Sequence, residues 1–281
     1  MAAVSNLTRR VLSAAVFGPL FLVLFWAGGL PLLVGLCVVV GIGAREFYRL
    51  QQQKGLQPWM RFGIAASLAW CLGVYGFEVY GFRADFLLFP LAGLTLSVLT
   101  LALCRREGAF RLADAGATLI GVLYVGFLGS FALRVRNFSG AEMSESGTAK
   151  VAVLVLLGIW ATDVVAYFAG CLFGRRHPFP QISPGKTGAG FIGGLAAALL
   201  TISAGVRVLG LFPFWAGVGL GLVVGVGALV GDLVESMLKR DAGVKESSEI
   251  IPGPGGVLDR FDSFLFVYPL VYLYFTLLQA V

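Results

Sequence analysis

Residues 211–241 read LFPFWAGVGLGLVVGVGALVGDLVESMLKRD. The first 21 of them, 211–231, carry no charge. About 20 consecutive apolar residues are what an α-helix needs to cross the hydrocarbon core of a bilayer. With no break signal the run passes into Asp232, Glu235, Ser236 and Lys239, spaced i, i+3, i+4, i+7 and therefore on one helical stripe. A spanning helix is thus predicted to end in a polar, charged face. Ions are costly to take out of water, so this stripe needs partners or a ligand.

Downstream the charge density rises further. Residues 232–263 hold seven of the chain's 15 acidic residues: Asp232, Glu235, Asp241, Glu246, Glu249, Asp259 and Asp262. Lys239, Arg240, Lys245 and Arg260 are interleaved with them. Pro252-Gly253-Pro254-Gly255-Gly256 breaks any helix and brings bare backbone N–H groups close together. Asp259 and Asp262 follow at i, i+3, a spacing that places both carboxylates on one side of the first turn of a new helix. Carboxylates, cations and a glycine-rich bend are the parts needed to hold Mg²⁺ and a polyphosphate. The competing reading is a solvated loop with ordinary juxtamembrane charges.

Upstream the apolar pattern recurs. Of 281 residues, 58% are hydrophobic and 13% charged, against roughly 25% charged in soluble domains. Apolar runs near 11–27, 30–43, 61–77, 84–104, 113–134, 150–173, 189–208, 212–232 and 263–280 predict an all-α, polytopic integral membrane protein of about nine transmembrane helices. No stretch remains for a separate soluble domain. Residues 1–135 read as N-terminal spans, and 150–281 as C-terminal spans carrying the site. The second run is short and reads as re-entrant or tilted. The first follows Arg9 and Arg10 as a signal peptide would, but no small-residue cleavage site comes after it, so a retained helix is expected. Segment 135–149 reads as an outside loop without evident chemistry. Cys37, Cys71, Cys104 and Cys171 lack metal or redox spacing. The single histidine, His177, excludes a multi-histidine metal site and argues against histidine-dependent covalent catalysis.

With the N-terminus in the cytoplasm, 16 of the 21 Lys and Arg residues fall in cytoplasmic segments. That bias predicts an outside C-terminus and a cytoplasmic 232–263 cluster. The net charge of +6 suits contact with anionic lipid, or serves as a topology signal alone.

A second polar island lies between spans. Asp163 sits inside the apolar run 151–173, where a carboxylate costs about 2.5–3.5 kcal/mol and usually faces a bundle interior or water-filled cavity. Tyr167, Gly170 and Gly174 share its stripe. Then comes FGRRHPFPQISPGKTGAGFIGG, 173–194. Gly185-Lys186-Thr187 is not a P-loop, because Pro180 stands where that motif needs glycine and no strand precedes it. It does form a basic, glycine-rich lead into a helix N-terminus, a place that favours phosphate.

Ser236-x-x-Lys239-Arg240-x4-Lys245 followed by Pro252-Gly253-x-Gly255-Gly256-x-x-Asp259-Arg260-x-Asp262-Ser263 resembles the signature of the phosphatidate cytidylyltransferases (CDP-diacylglycerol synthases). Asp163, Ala166-Tyr167-Phe168-x-Gly170, Phe173-Gly174 and Ile182-Ser183-Pro184-x-Lys186-Thr187 resemble the upstream region of the same enzymes. The likeness covers about 150–270, and the first 130 residues match only as generic spans. Three positions depart from the family pattern: Glu246 stands for Asp, Pro254 for His and Ala189 for Glu. The resemblance implies transfer of CMP from CTP to phosphatidate with Mg²⁺, in the bilayer and without nucleic acid. It implies Asp232, Asp259 and Asp262 as metal-binding catalytic residues, with Asp163 as a further ligand or orienter and Lys239 as a catalytic cation. Ser183, Lys186, Thr187, Ser236, Arg240, Lys245, Gly255, Gly256 and Arg260 would then contact substrate. A homodimer is one expected assembly, and a bacterial inner membrane is the expected location. A CTP-dependent lipid or polyprenol kinase and a non-catalytic transporter are the competing classes. A single cysteine placed at Ser248 is expected to react with a membrane-impermeant thiol reagent only from the cytoplasmic side; labelling from outside reverses the orientation.

Overall fold

The computed structural model describes residues 2–81, 88–104, 111–138, 144–248 and 255–279, with side chains from residue 15 onward. Glu249, Pro252, Gly253 and Pro254 lie outside the described residues, as do Arg83, Arg105, Arg106 and the side chains of Arg9 and Arg10. Among the described residues there are nine helical rods and no strand: α1 (Ala2–Ala27), α2 (Gly29–Gln53), α3 (Met60–Tyr80), α4 (Leu88–Cys104), α5 (Arg111–Arg136), α6 (Glu145–Phe173), α7 (Gly188–Leu209), α8 (Phe214–Asp241) and α9 (Leu258–Gln279). Seven of them, α2, α3 and α5 to α9, are long and apolar enough to cross a membrane; Ala15–Ala27 and α4 are shorter apolar helices. The rods fall on the nine apolar runs, and the protein is a polytopic, all-helical integral membrane protein.

Two boundaries differ from expectation, and a third, the charged end of α8, agrees with it. Helix α2 is neither short nor re-entrant: it spans 25 residues, about 37 Å at 1.5 Å per residue. Arg45, Glu46 and Arg49 ended the apolar run, yet they continue the helix. Helix α6 starts early because Ser144 caps it, its hydroxyl accepting from Gly147 N at 3.2 Å. Helix α8 runs on through the charged stripe to Asp241.

The chain divides into two compact units. The first comprises Met1–Phe17, Gly29–Arg134 and Leu238–Arg260. Tyr48 of α2 is fully buried there, and its hydroxyl donates to Thr118 O of α5 at 2.9 Å. Asp114 is buried and accepts from Gln57 N at 2.7 Å, fixing the turn into α3. A π-helical turn at Val122–Phe127 interrupts α5. In the same unit Arg134 pairs with Glu78 at 3.0 Å.

The second unit comprises Gly18–Gly28, Val135–Met237 and Phe261–Val281. Small residues set its spacing, as expected where packing in lipid depends on close backbone approach. Along α8, Gly221 and Gly225 lie against Ala198, Leu199 and Leu195 of α7, while Gly227 and Gly231 lie against α9. Helix α7 meets α6 through Gly190 and Gly194, which face Ala166 and Thr162. Tyr268 of α9 donates to Ala152 O of α6 at 2.9 Å. Arg136 is 5% exposed and donates to Phe25 O at 2.9 Å, Trp26 O at 3.1 Å and Thr148 Oγ1 at 3.3 Å. It satisfies the last carbonyls of α1 and sits at the negative end of that helix's dipole. Arg136→Ala leaves buried carbonyls unsatisfied, so a loss of about 2–3 kcal/mol is expected, read as a lower melting temperature in detergent.

Candidate active site

In the second unit, α8 and α9 bring Asp232, Glu235 and Asp262 together, with one carboxylate oxygen of each within 4.8 Å of the others. Glu235 is 1% exposed and Asp262 8%. The approach depends on Gly231: a Cβ there would lie 2.7 Å from Asp262 O and 2.9 Å from Ser263 Cα. Ser263 secures the same crossing, donating through Oγ to Ala228 O at 3.1 Å, and its N donates to the neighbouring Asp262 Oδ1 at 2.6 Å.

Electrostatics decides what this cluster can do. Two unit charges about 5 Å apart repel by about 3 kcal/mol even at an effective dielectric constant near 20. Lys186 relieves part of this, its Nζ 2.7 Å from Asp232 Oδ2. If all three carboxylates ionise, they and one ammonium leave a net charge of −2, which a divalent cation would balance. The donors are all hard oxygens, the kind Mg²⁺ and Ca²⁺ take, and the set fits such an ion.

Lys186 arrives on a tightly folded segment. Ser183 N donates to Phe179 O at 2.9 Å, Lys186 N to Ser183 O at 3.1 Å and Gly188 N to Arg176 O at 2.9 Å. Thr187 caps α7 by accepting from Gly190 N at 3.1 Å. The stripe below Asp163 explains the fit: Gly170 and Gly174 are the positions that abut Thr187. Asp163 itself lies at the accessible surface of α6, within the fields of Asp232 and Lys186. Ser236 is buried on α8, one residue after Glu235.

The first unit holds a second polar set. Lys239 Nζ donates to Asp259 Oδ1 at 2.6 Å. Asp259 Oδ2 accepts from Ser247 N at 2.9 Å, Ser247 Oγ at 2.6 Å and Gly256 N at 2.7 Å. Gly255 takes φ +105°, a conformation that disfavours side chains. Arg240 reaches Val244 O at 3.2 Å; Lys245 and Arg260 are exposed. Lys54 is paired with Asp241.

The structure thus gathers Asp232, Asp262 and Lys186 in one unit and Lys239, Asp259 and Gly256 in the other. Two acidic residues to which the sequence reading gave no role lie in these units. Glu235 was visible on the Asp232 stripe. Glu46, fully buried in the first unit, left only one trace: an acidic residue between Arg45 and Arg49 at the end of an apolar run.

A polytopic helical protein that sets three carboxylates on its spanning helices beside a loop lysine has the build of a membrane-embedded enzyme for anionic substrates. Residues 8–278 match the Cytidylyltransferase family, and the chain belongs to it. It is 34% identical to phosphatidate cytidylyltransferase of Synechocystis sp., covering 98% of each chain. It is 33% identical to phosphatidate cytidylyltransferase 4, chloroplastic, of Arabidopsis thaliana, over 95% of this chain and 73% of that protein. It is 31% identical to phosphatidate cytidylyltransferase of Bacillus subtilis, over 95% and 97%. The resemblance first drawn from 150–270 therefore extends along nearly the whole chain.

Gly231→Ala should force α9 off α8 and part the carboxylates. Overpacking costs 1–3 kcal/mol, so divalent-ion affinity, measured by calorimetric titration of the purified protein, should fall by about 10-fold. Gly116→Ala, where a Cβ meets nothing within 4 Å, should leave it unchanged.

Proposed function

We propose that this protein transfers CMP from CTP to phosphatidate, giving CDP-diacylglycerol and pyrophosphate. The observation that carries the reading is a family match across residues 8–278 in a chain whose spanning helices bring three carboxylates within 4.8 Å.

The chemistry asks little of a general base. The attacking group is a phosphate oxygen of the lipid, already ionised near neutral pH. It bonds to the α-phosphorus of CTP, and the bond to pyrophosphate breaks. A chain with one histidine is adequate for that step. The obstacle is repulsion between two polyanions, so catalysis rests on placed positive charge. Asp232, Glu235 and Asp262 would hold Mg²⁺, with Asp163 beside them as ligand or orienter. When bound, Mg²⁺ supplies neutralisation of the triphosphate and of the charge growing on pyrophosphate. Lys186 both balances Asp232 and offers an ammonium to phosphate; Ser183 and Thr187 flank it in sequence. Lys239, Arg240, Lys245 and Arg260 are the further cations for the two substrates, with Ser236, Gly255 and Gly256 assigned to substrate by the resemblance. Asp259 has a narrower part, since its oxygens are taken by Lys239, Ser247 and Gly256. Metal binding by Asp259 would compete with those donors.

The acyl chains of phosphatidate would stay in the bilayer while its headgroup meets CTP on the cytoplasmic side, in a bacterial cell at the inner membrane. Purified protein given phosphatidate, CTP and Mg²⁺ should release pyrophosphate and form CDP-diacylglycerol; release of CDP would indicate a kinase instead. Asp262→Asn should cut turnover by roughly 10²–10³, about 2.7–4 kcal/mol, the scale of one well-placed transition-state contact. Excess Mg²⁺ should restore part of that loss, and Glu249→Gln should cost far less. Initial pyrophosphate release against Mg²⁺ concentration checks all three. A folded Asp262→Asn protein with normal turnover and Mg²⁺ dependence removes Asp262 from the site.

A further inference from the structure

Glu46 is 0% exposed, lies in the N-terminal half where only generic spans were expected, and is not needed by the chemistry above. Both its oxygens are in use. Oε1 accepts from Val257 N at 3.1 Å and from the Ser248 hydroxyl. Oε2 accepts from Leu258 N at 2.7 Å, and Ser247 Oγ lies 3.2 Å from it. These contacts lie more than 200 residues away along the chain. A Cβ on Gly256 would collide with the Glu46 carboxylate and with Ser247 Oγ, so glycine is required there for the carboxylate to come in.

Such a buried carboxylate has a definite physical role. Amides at a helix N-terminus favour an anion, and here Glu46 is that anion for α9. An acceptor held by two backbone amides and a hydroxyl has little freedom to shift. Ser247 then links it to the next group, since its hydroxyl lies 2.6 Å from Asp259 Oδ2 and 3.2 Å from Glu46 Oε2. Asp259 in turn holds Lys239 at 2.6 Å. A second tie runs from the same end of α2, where Lys54 pairs with Asp241.

We infer that Glu46 is a positioning residue: it fixes Ser247, Ser248 and the 257–258 backbone so that Asp259 holds the Lys239 ammonium in its working place. The inference rests on the transfer reaction proposed above, in which Lys239 is a catalytic cation. It also reassigns donors at the glycine-rich bend. The amides of Gly256, Val257 and Leu258 are taken by Asp259 and Glu46, so in this arrangement phosphate is met by side-chain cations and not by those amides.

Glu46→Gln tests this. An amide keeps one oxygen and turns its NH₂ toward the other backbone N–H, Val257 or Leu258, so one backbone contact is lost. Two readouts are taken on folded protein in detergent. One is hydrogen exchange at Val257 and Leu258 without substrates. The other is kcat per folded molecule for CDP-diacylglycerol formation, well below the melting temperature. Exchange should rise at least ~10-fold, and kcat should fall roughly 10–100-fold, the upper end being the cost of a 1 Å misplacement. A residue that only stabilises the fold would lower the melting temperature and leave kcat per folded molecule alone. Unchanged exchange shows that Glu46 does not hold the segment, and faster exchange with normal kcat shows that holding it does not serve the chemistry; either overturns the inference. If wild type forms no CDP-diacylglycerol while exchange still responds, the proposed reaction falls and the anchoring stands. Should Glu46→Gln fail to fold, Ser248→Ala removes a single donor. It is expected to lower kcat per folded molecule by roughly 10-fold, the low end for one hydrogen bond to a charged acceptor, and an unchanged value overturns the inference.

Discussion

The protein depends on keeping like charges close together where water is scarce. Asp232, Glu235 and Asp262 lie within 4.8 Å of one another, and left alone they would drive α8 and α9 apart. Two things oppose that. The backbones are locked at Gly231 and Ser263, so the crossing cannot widen without losing packing. Lys186 then supplies one opposing charge. Ionised, the three carboxylates and Lys186 would carry a residual negative charge, the sign that a divalent cation balances.

The glycine content of the second unit has the same logic. In lipid there is little hydrophobic drive between helices, so contact must come from close backbone approach. Gly221 and Gly225 turn α8 toward α7, and Gly227 and Gly231 turn it toward α9. Four small residues thus divide one helix between two neighbours, and the helix can carry the charged stripe into a fixed place. Arg136 does comparable work for α1 by binding its terminal carbonyls.

Much of this was legible in the sequence. Apolar runs give the nine helices, because a spanning helix must be long and uniformly apolar. The i, i+3, i+4, i+7 spacing put Asp232 and Glu235 on one face, and α8 carries that face through to Asp241. Lys186 stood out as a cation in a glycine-rich lead. The length of α2 was not legible, since Arg45, Glu46 and Arg49 look like the end of a span and are in fact its last turns. Glu46 itself could not be found by spacing. Its partners are Ser247, Ser248, Val257 and Leu258, and no periodicity in a single chain links positions that far apart. For the same reason the engagement of Asp259 by Lys239 and Ser247 was invisible: helical spacing pairs Asp259 with Asp262 and says nothing of a lysine 20 residues earlier.

The bond between Glu46 and the start of α9 also bears on what counts as an intact enzyme gene. A fragment beginning at Ser144 would contain every residue of the recognisable signature and pass any motif search. It would nonetheless lack the carboxylate that occupies the Val257 and Leu258 amides and the lysine that pairs with Asp241. Motif completeness is therefore too weak a criterion for this architecture. Split, truncated or fused versions should be judged by whether the second helix travels with the signature.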